Sequence, residues 1–281
     1  MVTMAFSATT RAALLEDFDG GGSTPYTITQ SGGGLGPFIA AGGPSGNYLR
    51  LTSLTSSNRN SIAFDKDASQ TGAAPNGLIL QFDFRMTDDA TNSATGGCCG
   101  SAADGMGIGL FDASVYGNSG SFLPVSGVDW ERPRYASAFT IGLDILNNID
   151  VVSLNWAGSE IVAFDVGVSL DLNNNLFHRA MVAITPDGTN AKVNMDIIED
   201  VFSATSTTHN VFIDQAIAGL DLASFPDYRL IAGGRTGGAY MEGDMDNISL
   251  ASISSSIPEP TTLALMGLGL AGIGWKRRKV T

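Results

Sequence analysis

The sequence is poor in cysteine, histidine and charge. Of its 281 residues only two are Cys and two are His, and the cysteines, Cys98 and Cys99, are adjacent. Adjacent cysteines cannot link distant segments, so a disulfide framework is excluded, and they lack the spacing of the Cys pair in a structural zinc site. Charged residues make up 15% of the chain, which is low for a soluble domain.

Basic residues are especially scarce, and they are unevenly distributed. The chain has 15 Lys and Arg residues against 28 Asp and Glu residues. Four of the basic residues and one acidic residue follow Ile257, so the first 257 residues carry 11 basic and 27 acidic groups, a formal charge of −16. A body this acidic repels phosphate backbones, and nucleic acid is excluded as a partner.

What the sequence does contain is glycine and short alternating apolar runs. It has 35 Gly, and its 43% hydrophobic content is enough to bury a core. Apolar and polar residues alternate with the period of two that is typical of half-buried strands. The clearest runs are 48–52, 78–86, 107–111, 138–144, 178–185, 191–196 and 246–250.

These runs predict an all-β fold. Leu80, Phe82, Phe84 and Met86 are expected on one face of a strand, and 178–196 reads as a hairpin around Pro186-Asp187-Gly188-Thr189. The many short strands without intervening helices indicate two packed antiparallel sheets. No fixed repeat is present, which excludes propellers and solenoids. A short helical or irregular segment is expected near 220–225.

The C-terminal segment has three parts. Pro258-Glu259-Pro260 is followed by an almost wholly apolar or glycine segment from Thr261 to Trp275, and then by four cations, Lys276, Arg277, Arg278 and Lys279. Fifteen helical residues span roughly 22 Å, which is less than the ~30 Å hydrocarbon core of a bilayer. The alternative is a buried terminal helix, which the four cations and four glycines disfavour, whereas a basic cluster after an apolar segment is a stop-transfer arrangement.

This tail resembles the PEP-CTERM sorting signal. The resemblance implies recognition and cleavage by an exosortase, export to the cell surface or extracellular matrix of a Gram-negative bacterium, and transient anchoring in the inner membrane. It divides the chain into a β domain at 16–252, a linker at 253–257 and the signal with its transmembrane helix at 258–281. Residues 1–15 lack a 7–15-residue apolar h-region, and we expect them to be the remnant of an export signal whose true start lies upstream, or a disordered terminus.

The body resembles a concanavalin A-like (L-type lectin) jelly roll. The matching segments, in order along the chain, are Glu16-Asp17-Phe18, 78–86, 103–110, 141–150, 177–195 and 232–248. The resemblance implies that Asp104, in Ala-Asp-Gly105, accepts hydrogen bonds from sugar hydroxyls. It implies a ligand site formed by Asp104 and Gly105 with Asn148 and the loop Thr236-Gly237-Gly238.

The same resemblance implies a Ca²⁺ ion near Asp144. In the family a metal loop places Asp, and Asn four residues later, on the ion, and Asp144 and Asn148 keep that spacing, with Asp150 close by. Two family ligands are missing, because Gly142 stands where legume lectins have a Glu that binds a transition metal, and Val152 stands where a second Asp is expected. The alternative is that these Asp and Asn residues only cap loops through their own backbone.

Two further features leave alternatives open. Trp130, Tyr135, Trp156 and Tyr240 lie in or near glycine-rich segments and are either packed aromatics or platforms for the apolar face of a sugar. Cys98 and Cys99 form either a vicinal disulfide or free thiols.

Enzymatic activity is not expected. The Glu-x-Asp-x-x-Glu motif of glucanases on this fold, aligned on Asp144, has Gly142 and Asn147 at its two Glu positions. His178 lies in an alternating strand and is expected in the core, and His209 has no evident partner. The sequence therefore predicts an exported, lectin-like, Ca²⁺-dependent protein that binds a glycan or polysaccharide. The alternative is a structural matrix protein on the same fold, and an unrecognised hydrolase site is the least favoured reading.

Overall fold

The computed structural model describes residues 10–20, 25–66, 74, 76–87, 102–123, 128–146, 149–167 and 169–253. This part of the chain forms fifteen β-strands and one four-residue helix, α1 (Ala113–Tyr116). In chain order the strands β1 to β15 are Thr10–Glu16, Tyr26–Gly32, Phe38–Gly43, Gly46–Thr52, Asn58–Phe64, Leu78–Thr87, Gly105–Asp112, Ala138–Asp144, Val151–Trp156, Ser159–Asp165, His178–Asp187, Asn190–Glu199, Thr207–Ile217, Tyr228–Arg235 and Glu242–Ile253.

The strands form two antiparallel sheets. The eight-stranded sheet has the order β13-β12-β11-β6-β15-β4-β3, and β1 pairs with β15 beyond the reach of β4. The seven-stranded sheet has the order β10-β9-β8-β7-β14-β5-β2. The two-layer antiparallel sandwich predicted from the alternating runs is confirmed.

The domain extends further towards the N-terminus than the sequence indicated. Residues 10–15 were assigned to the segment preceding the β domain, but Thr10–Glu16 is β1, whose backbone pairs with residues 248–253 of β15. The backbone pairing of β1 brings this segment into the eight-stranded sheet. The expected tail at 258–281 lies outside the described residues.

The main core lies between the sheets and follows the period of two. Leu80, Phe82, Phe84 and Met86 of β6 are fully buried on one face, as predicted. Ile108 and Leu110 of β7 belong to the same core. His178 is also fully buried, with Nε2 3.1 Å from Asn174 Oδ1, and its ring packs 5.3 Å from that of Phe84. A core histidine was expected at this position.

A second apolar cluster lies on the opposite face of the seven-stranded sheet. Phe111 and Ile231, which point away from the main core, are covered by side chains from the segment between β7 and β8. That covering layer consists of Phe122, Trp130 and Tyr135, all at most 5% exposed. The rings of Trp130 and Tyr135 are 5.5 Å apart. The alternative that Trp130 and Tyr135 are packed aromatics, rather than sugar platforms, is therefore correct.

Glycines let this covering segment approach the sheet closely. A Cβ at Gly233 of β14 would lie 2.0 Å from the Trp130 ring. A Cβ at Gly142 of β8 would lie 2.2 Å from the backbone oxygen of Glu131. Real Cβ contacts do not reach these distances, so residues 128–135 (the "overlay segment") lie against β8 and β14 only because both positions lack a side chain.

We expect Gly142→Ala to destabilise the protein by about 1–3 kcal/mol, because the methyl group would displace the backbone of the overlay segment. Gly33→Ala is the matched control, since a Cβ there meets its nearest atom at 3.7 Å. The measurement is urea unfolding of both variants beside the wild type. Equal stability of the two variants would contradict the close approach at Gly142.

Candidate functional site

Three adjacent strands bring the candidate residues to one end of the seven-stranded sheet. Asp104 directly precedes β7, whereas Asp144 ends β8 and Arg235 ends β14. Because the strands are antiparallel, Gly105 pairs with Asp144 on one side and with Arg235 on the other. Asp104, Asp144 and Arg235 are therefore neighbours, although 131 positions separate the first from the last.

Backbone hydrogen bonds hold Asp104 in place. Its N–H donates to the Arg235 carbonyl at 3.2 Å and its carbonyl accepts from the Ile145 N–H at 3.1 Å. The Ala103–Asp104 peptide bond is cis. The residue is 5% exposed. Its carboxylate is thus held in a fixed position between β8 and β14.

One oxygen of the Asp104 carboxylate is a buried acceptor that lacks a hydrogen-bond donor. Its Oδ2 lies 3.4 Å from Arg235 Nε and accepts no hydrogen bond within the described part of the chain. Burial raises the pKa of Asp104 above its usual value, and the nearby Arg235 guanidinium opposes that shift. Buried acceptors in folded proteins normally have a donor, so an unpartnered one indicates a place for a further donor.

The loop Thr236–Gly238 lies beside Asp104, as the sequence resemblance implied. Thr236 is buried. Its hydroxyl accepts from the Asn58 N–H and donates to the Thr55 carbonyl at 2.7 Å, so its side chain attaches the loop to the start of β5. A Cβ at Gly237 would lie 2.9 Å from Asp104 Oδ2. Gly238 is exposed. A glycine at 237 keeps the loop close against the carboxylate.

The overlay segment contributes a second buried carboxylate, that of Glu131. It forms an ion pair with Arg235, whose guanidinium also lies 3.0 Å from Asp129. The other oxygen, Oε2, is buried and accepts no hydrogen bond within the described residues. Burial is the largest influence on Glu131 and raises its pKa to about 7, against the effect of Arg235. Glu131 therefore titrates near neutral pH.

A second arginine of the overlay segment binds Asp144. Arg132 Nε lies 2.6 Å from Asp144 Oδ2, and Arg132 Nη1 lies 3.4 Å from Glu160 Oε2 on β10. The other oxygen of Asp144, Oδ1, accepts the Leu146 N–H at 2.9 Å. Both oxygens of the Asp144 carboxylate are therefore bonded.

A surface hollow of about 270 Å³ opens next to these groups. It is lined by Asp129, Glu131, Arg132, Arg134, Asp144, Leu146 and Ile149. Five of these seven residues carry a formal charge, three negative and two positive. The hollow is therefore lined by charged side chains beside the apolar Leu146 and Ile149.

The calcium site expected from the sequence does not fit the described residues. Ca²⁺ requires six to eight oxygen ligands, but the charge of Asp144 is already neutralised by the Arg132 guanidinium 2.6 Å away, which would repel a cation. For Asp150, which was also expected as a ligand, burial and the nearby carboxylates of Asp171 and Asp165 raise the pKa to about 6. Across the described ranges, no group of three or more His, Cys, Asp or Glu residues is arranged to hold a metal ion. Asn148 lies outside those ranges.

Sequence reasoning missed four residues of this site, Asp129, Glu131, Arg132 and Arg235. One signal was available for the first three. The run Asp129-Trp130-Glu131-Arg132 is dense in charge, whereas the chain as a whole has only 15% charged residues. Among the other expected features, Trp156 and Tyr240 are partly buried, and Cys98 and Cys99 lie outside the described residues. His209, which had no evident partner, lies 3.1 Å from Glu199.

We expect the stability of the wild type, relative to Glu131→Gln, to fall as the pH rises from about 4.5 to about 7. The folded protein holds the Glu131 proton up to a pKa of about 7, whereas the unfolded chain releases it near 4.5, so the folded state binds more protons in that window. The relative loss reaches up to about 3 kcal/mol. Urea unfolding of both proteins across this range measures it, and parallel pH profiles would contradict the buried titration.

The sequence itself matches one family model, at its C-terminal end. Residues 256–279 match the model of the PEP-CTERM protein-sorting motif. No curated protein sequence matches the chain. In the part of the chain that the structure describes, no helix is long and apolar enough to cross a membrane.

Several solved lectin structures share the fold. Peanut lectin is 10% identical, with a TM-score of 0.55 over 89% of this chain and 100% of the lectin. Lectin I-B4 from Griffonia simplicifolia is 8% identical, with a TM-score of 0.53 over 86% and 98%. The Ca²⁺-bound exoplasmic/lumenal domain of VIP36 is 14% identical, with a TM-score of 0.50 over 88% and 92%. The chain thus combines a concanavalin A-like lectin fold with a PEP-CTERM sorting motif.

Proposed function

We propose that this is an exported, non-enzymatic protein whose β-sandwich binds carbohydrate at the Asp104 end of the seven-stranded sheet. The observation that carries the proposal is the pair of buried acceptors, Asp104 Oδ2 and Glu131 Oε2, which have no hydrogen-bond donor within the described chain. Sugar hydroxyls are donors of the kind that such oxygens require. A charged acceptor makes the stronger hydrogen bond.

The surroundings of these acceptors support a small polar ligand. The adjacent hollow of about 270 Å³ falls just below the usual range for small-molecule sites, which suits a terminal sugar unit better than a long chain segment. In this proposal Asp104, Gly105 and the Thr236–Gly238 loop form one side of the glycan site. Asn148 completes it, because its amide is both a donor and an acceptor.

The shared fold makes carbohydrate the ligand class that we favour. The proteins named above as lectins have this sandwich over most of their length. Because their sequence identity to this chain is low, the case for a sugar site here depends on the two open acceptors rather than on the likeness. Calcium forms no part of the proposal, because the Arg132 guanidinium already neutralises Asp144 and would repel a cation there.

The sorting motif supports a location outside the cytoplasm. We propose that an exosortase recognises Pro258, Glu259 and Pro260 and cleaves the chain, after the apolar segment and the cations Lys276, Arg277, Arg278 and Lys279 have held it in the inner membrane. The processed domain then reaches the cell surface or the extracellular matrix of a Gram-negative bacterium. There a glycan-binding domain would attach to matrix polysaccharide.

We expect Asp104→Asn to weaken glycan binding at least about tenfold, because a hydrogen bond to a charged group contributes about 1.5–3 kcal/mol. Binding of the full chain is measured on a glycan array and then by titration with the best ligand, in Ca²⁺ and in chelator. Asp187→Asn is the matched control, since Asp187 is a half-exposed carboxylate in the β11–β12 hairpin of the other sheet. Circular dichroism checks that each variant is folded.

Absence of binding by the wild type in both arms would contradict the sugar site. It would favour a structural matrix protein on the same fold. Equal affinities of wild type, Asp104→Asn and Asp187→Asn would move the site away from Asp104.

Replacement of Pro258-Glu259-Pro260 by three alanines should block removal of the tail, because the motif read by the exosortase is lost while the apolar segment remains. The measurement is the mass of the protein recovered from a Gram-negative host that has an exosortase. Ser254→Ala, in the preceding linker, is the control and should be processed normally. Normal processing of the alanine variant would contradict the assignment of these residues to the signal.

A further inference from the structure

We propose that the guanidinium of Arg132 is the resident cation at Asp144 and takes the place of the calcium ion that the sequence pattern predicts. The protein then shapes this end of the sandwich with its own side chain and requires no metal. This inference goes beyond carbohydrate binding, because it concerns how the end of the sheet is held together whether or not a glycan binds there.

The contacts of Asp144 carry the first step. Asp144 is 4% exposed, so its charge needs a partner at short range. Arg132 Nε supplies one at 2.6 Å on Oδ2, and the Leu146 N–H supplies a hydrogen bond at 2.9 Å on Oδ1. A metal ion at this carboxylate would lie beside the guanidinium, which is permanently charged and would repel it.

Arg132 also performs the bridging that a metal ion would perform. Its Nη1 lies 3.4 Å from Glu160 Oε2 on β10, so one side chain connects the end of β8, the overlay segment and the edge strand. A planar guanidinium with five donors can bond two carboxylates in fixed directions. The side chain of Arg132 is 30% exposed, so its head lies at the wall of the hollow with its Asp144 contact on the buried side.

The sequence differences at the expected ligand positions agree with this exchange. Gly142 and Val152 stand where the family resemblance implies a transition-metal Glu and a calcium-loop Asp, so two negative charges that would attract a divalent cation are absent. Gly142 also has a positive role, because its missing side chain makes room for the backbone of Glu131. That close approach positions the next residue, Arg132, over Asp144. The absence of a carboxylate at position 142 and the approach of Arg132 to Asp144 are thus two effects of Gly142.

The test compares metal response and stability in four forms of the full chain, purified in detergent. They are the wild type, Arg132→Gln, Arg132→Lys and the control Arg134→Gln, which removes the same charge from an exposed residue of the same hollow. Thermal unfolding is recorded in millimolar CaCl2 and in millimolar EDTA, and Ca²⁺ binding is measured by equilibrium dialysis.

We expect the wild-type midpoints in CaCl2 and EDTA to agree within about 1 °C, whereas a site filled at a thousandfold excess over its Kd would raise the midpoint by about 8–16 °C. Arg132→Gln should lower the midpoint by about 4–8 °C in both buffers, and Arg134→Gln by less than about 2 °C. Arg132→Lys, which keeps the charge but loses the fork, should fall between them.

A double variant separates neutralisation of Asp144 from other effects of Arg132. If Arg132 acts by neutralising Asp144, then Arg132→Gln combined with Asp144→Asn should recover at least half of the midpoint lost in Arg132→Gln. Recovery supports the proposal, and a further loss in the double variant contradicts it.

Two further results would overturn the inference. One is stoichiometric Ca²⁺ binding by the wild type with a rise in its midpoint, and the other is equal stability of Arg132→Gln and Arg134→Gln. If Arg132→Gln does not fold, the dialysis of the wild type and the midpoint of Arg132→Lys still decide. None of these measurements uses a glycan, so failure of the sugar proposal and failure of this one are distinguishable.

Discussion

The structure of the candidate site depends on how closely the overlay segment approaches the seven-stranded sheet. Gly142 and Gly233 have no side chains where the Glu131 backbone and the Trp130 ring lie. Burial of Trp130 then fixes the segment on the sheet, and its neighbours Glu131 and Arg132 reach Arg235 and Asp144. Hydrophobic burial of Trp130 therefore sets the positions of the two charged residues that follow it in the sequence.

Scarcity of cations explains why the few arginines lie where carboxylates converge. Asp83, Asp244 and Asp144 are all nearly or fully buried, and each is paired with at least one arginine at 2.6–2.9 Å. In a chain with an excess of 13 negative charges, each buried carboxylate without such a partner would oppose folding. The arginine at the candidate site repeats the pairing seen at Asp83 and Asp244 of the other sheet.

The sequence allowed the sandwich to be predicted, because alternation is clear wherever one face of a strand is buried, as in β6, β11 and β12. Several strands lie outside these runs. Among them, β3 and β10 are largely exposed and their sequences show no such contrast, whereas β5 and β9 are mostly buried. Proximity of Asp104 to the Thr236–Gly238 loop was correctly implied by the family resemblance. The pairing of Arg132 with Asp144 was not predictable, because it depends on a loop folding back across a sheet face rather than on strand periodicity.

The position of β15 has a consequence for the order in which the chain can assemble. This strand lies inside the eight-stranded sheet, between β6 on one side and β4 and β1 on the other. Its residues, Glu242–Ile253, end only three positions before the PEP-CTERM motif begins at residue 256. The sheet therefore stays open along β6 until residues 242–253 have been synthesised, and such long-range pairing is slow. Folding of the eight-stranded sheet during synthesis is therefore incomplete until β15 has left the ribosome.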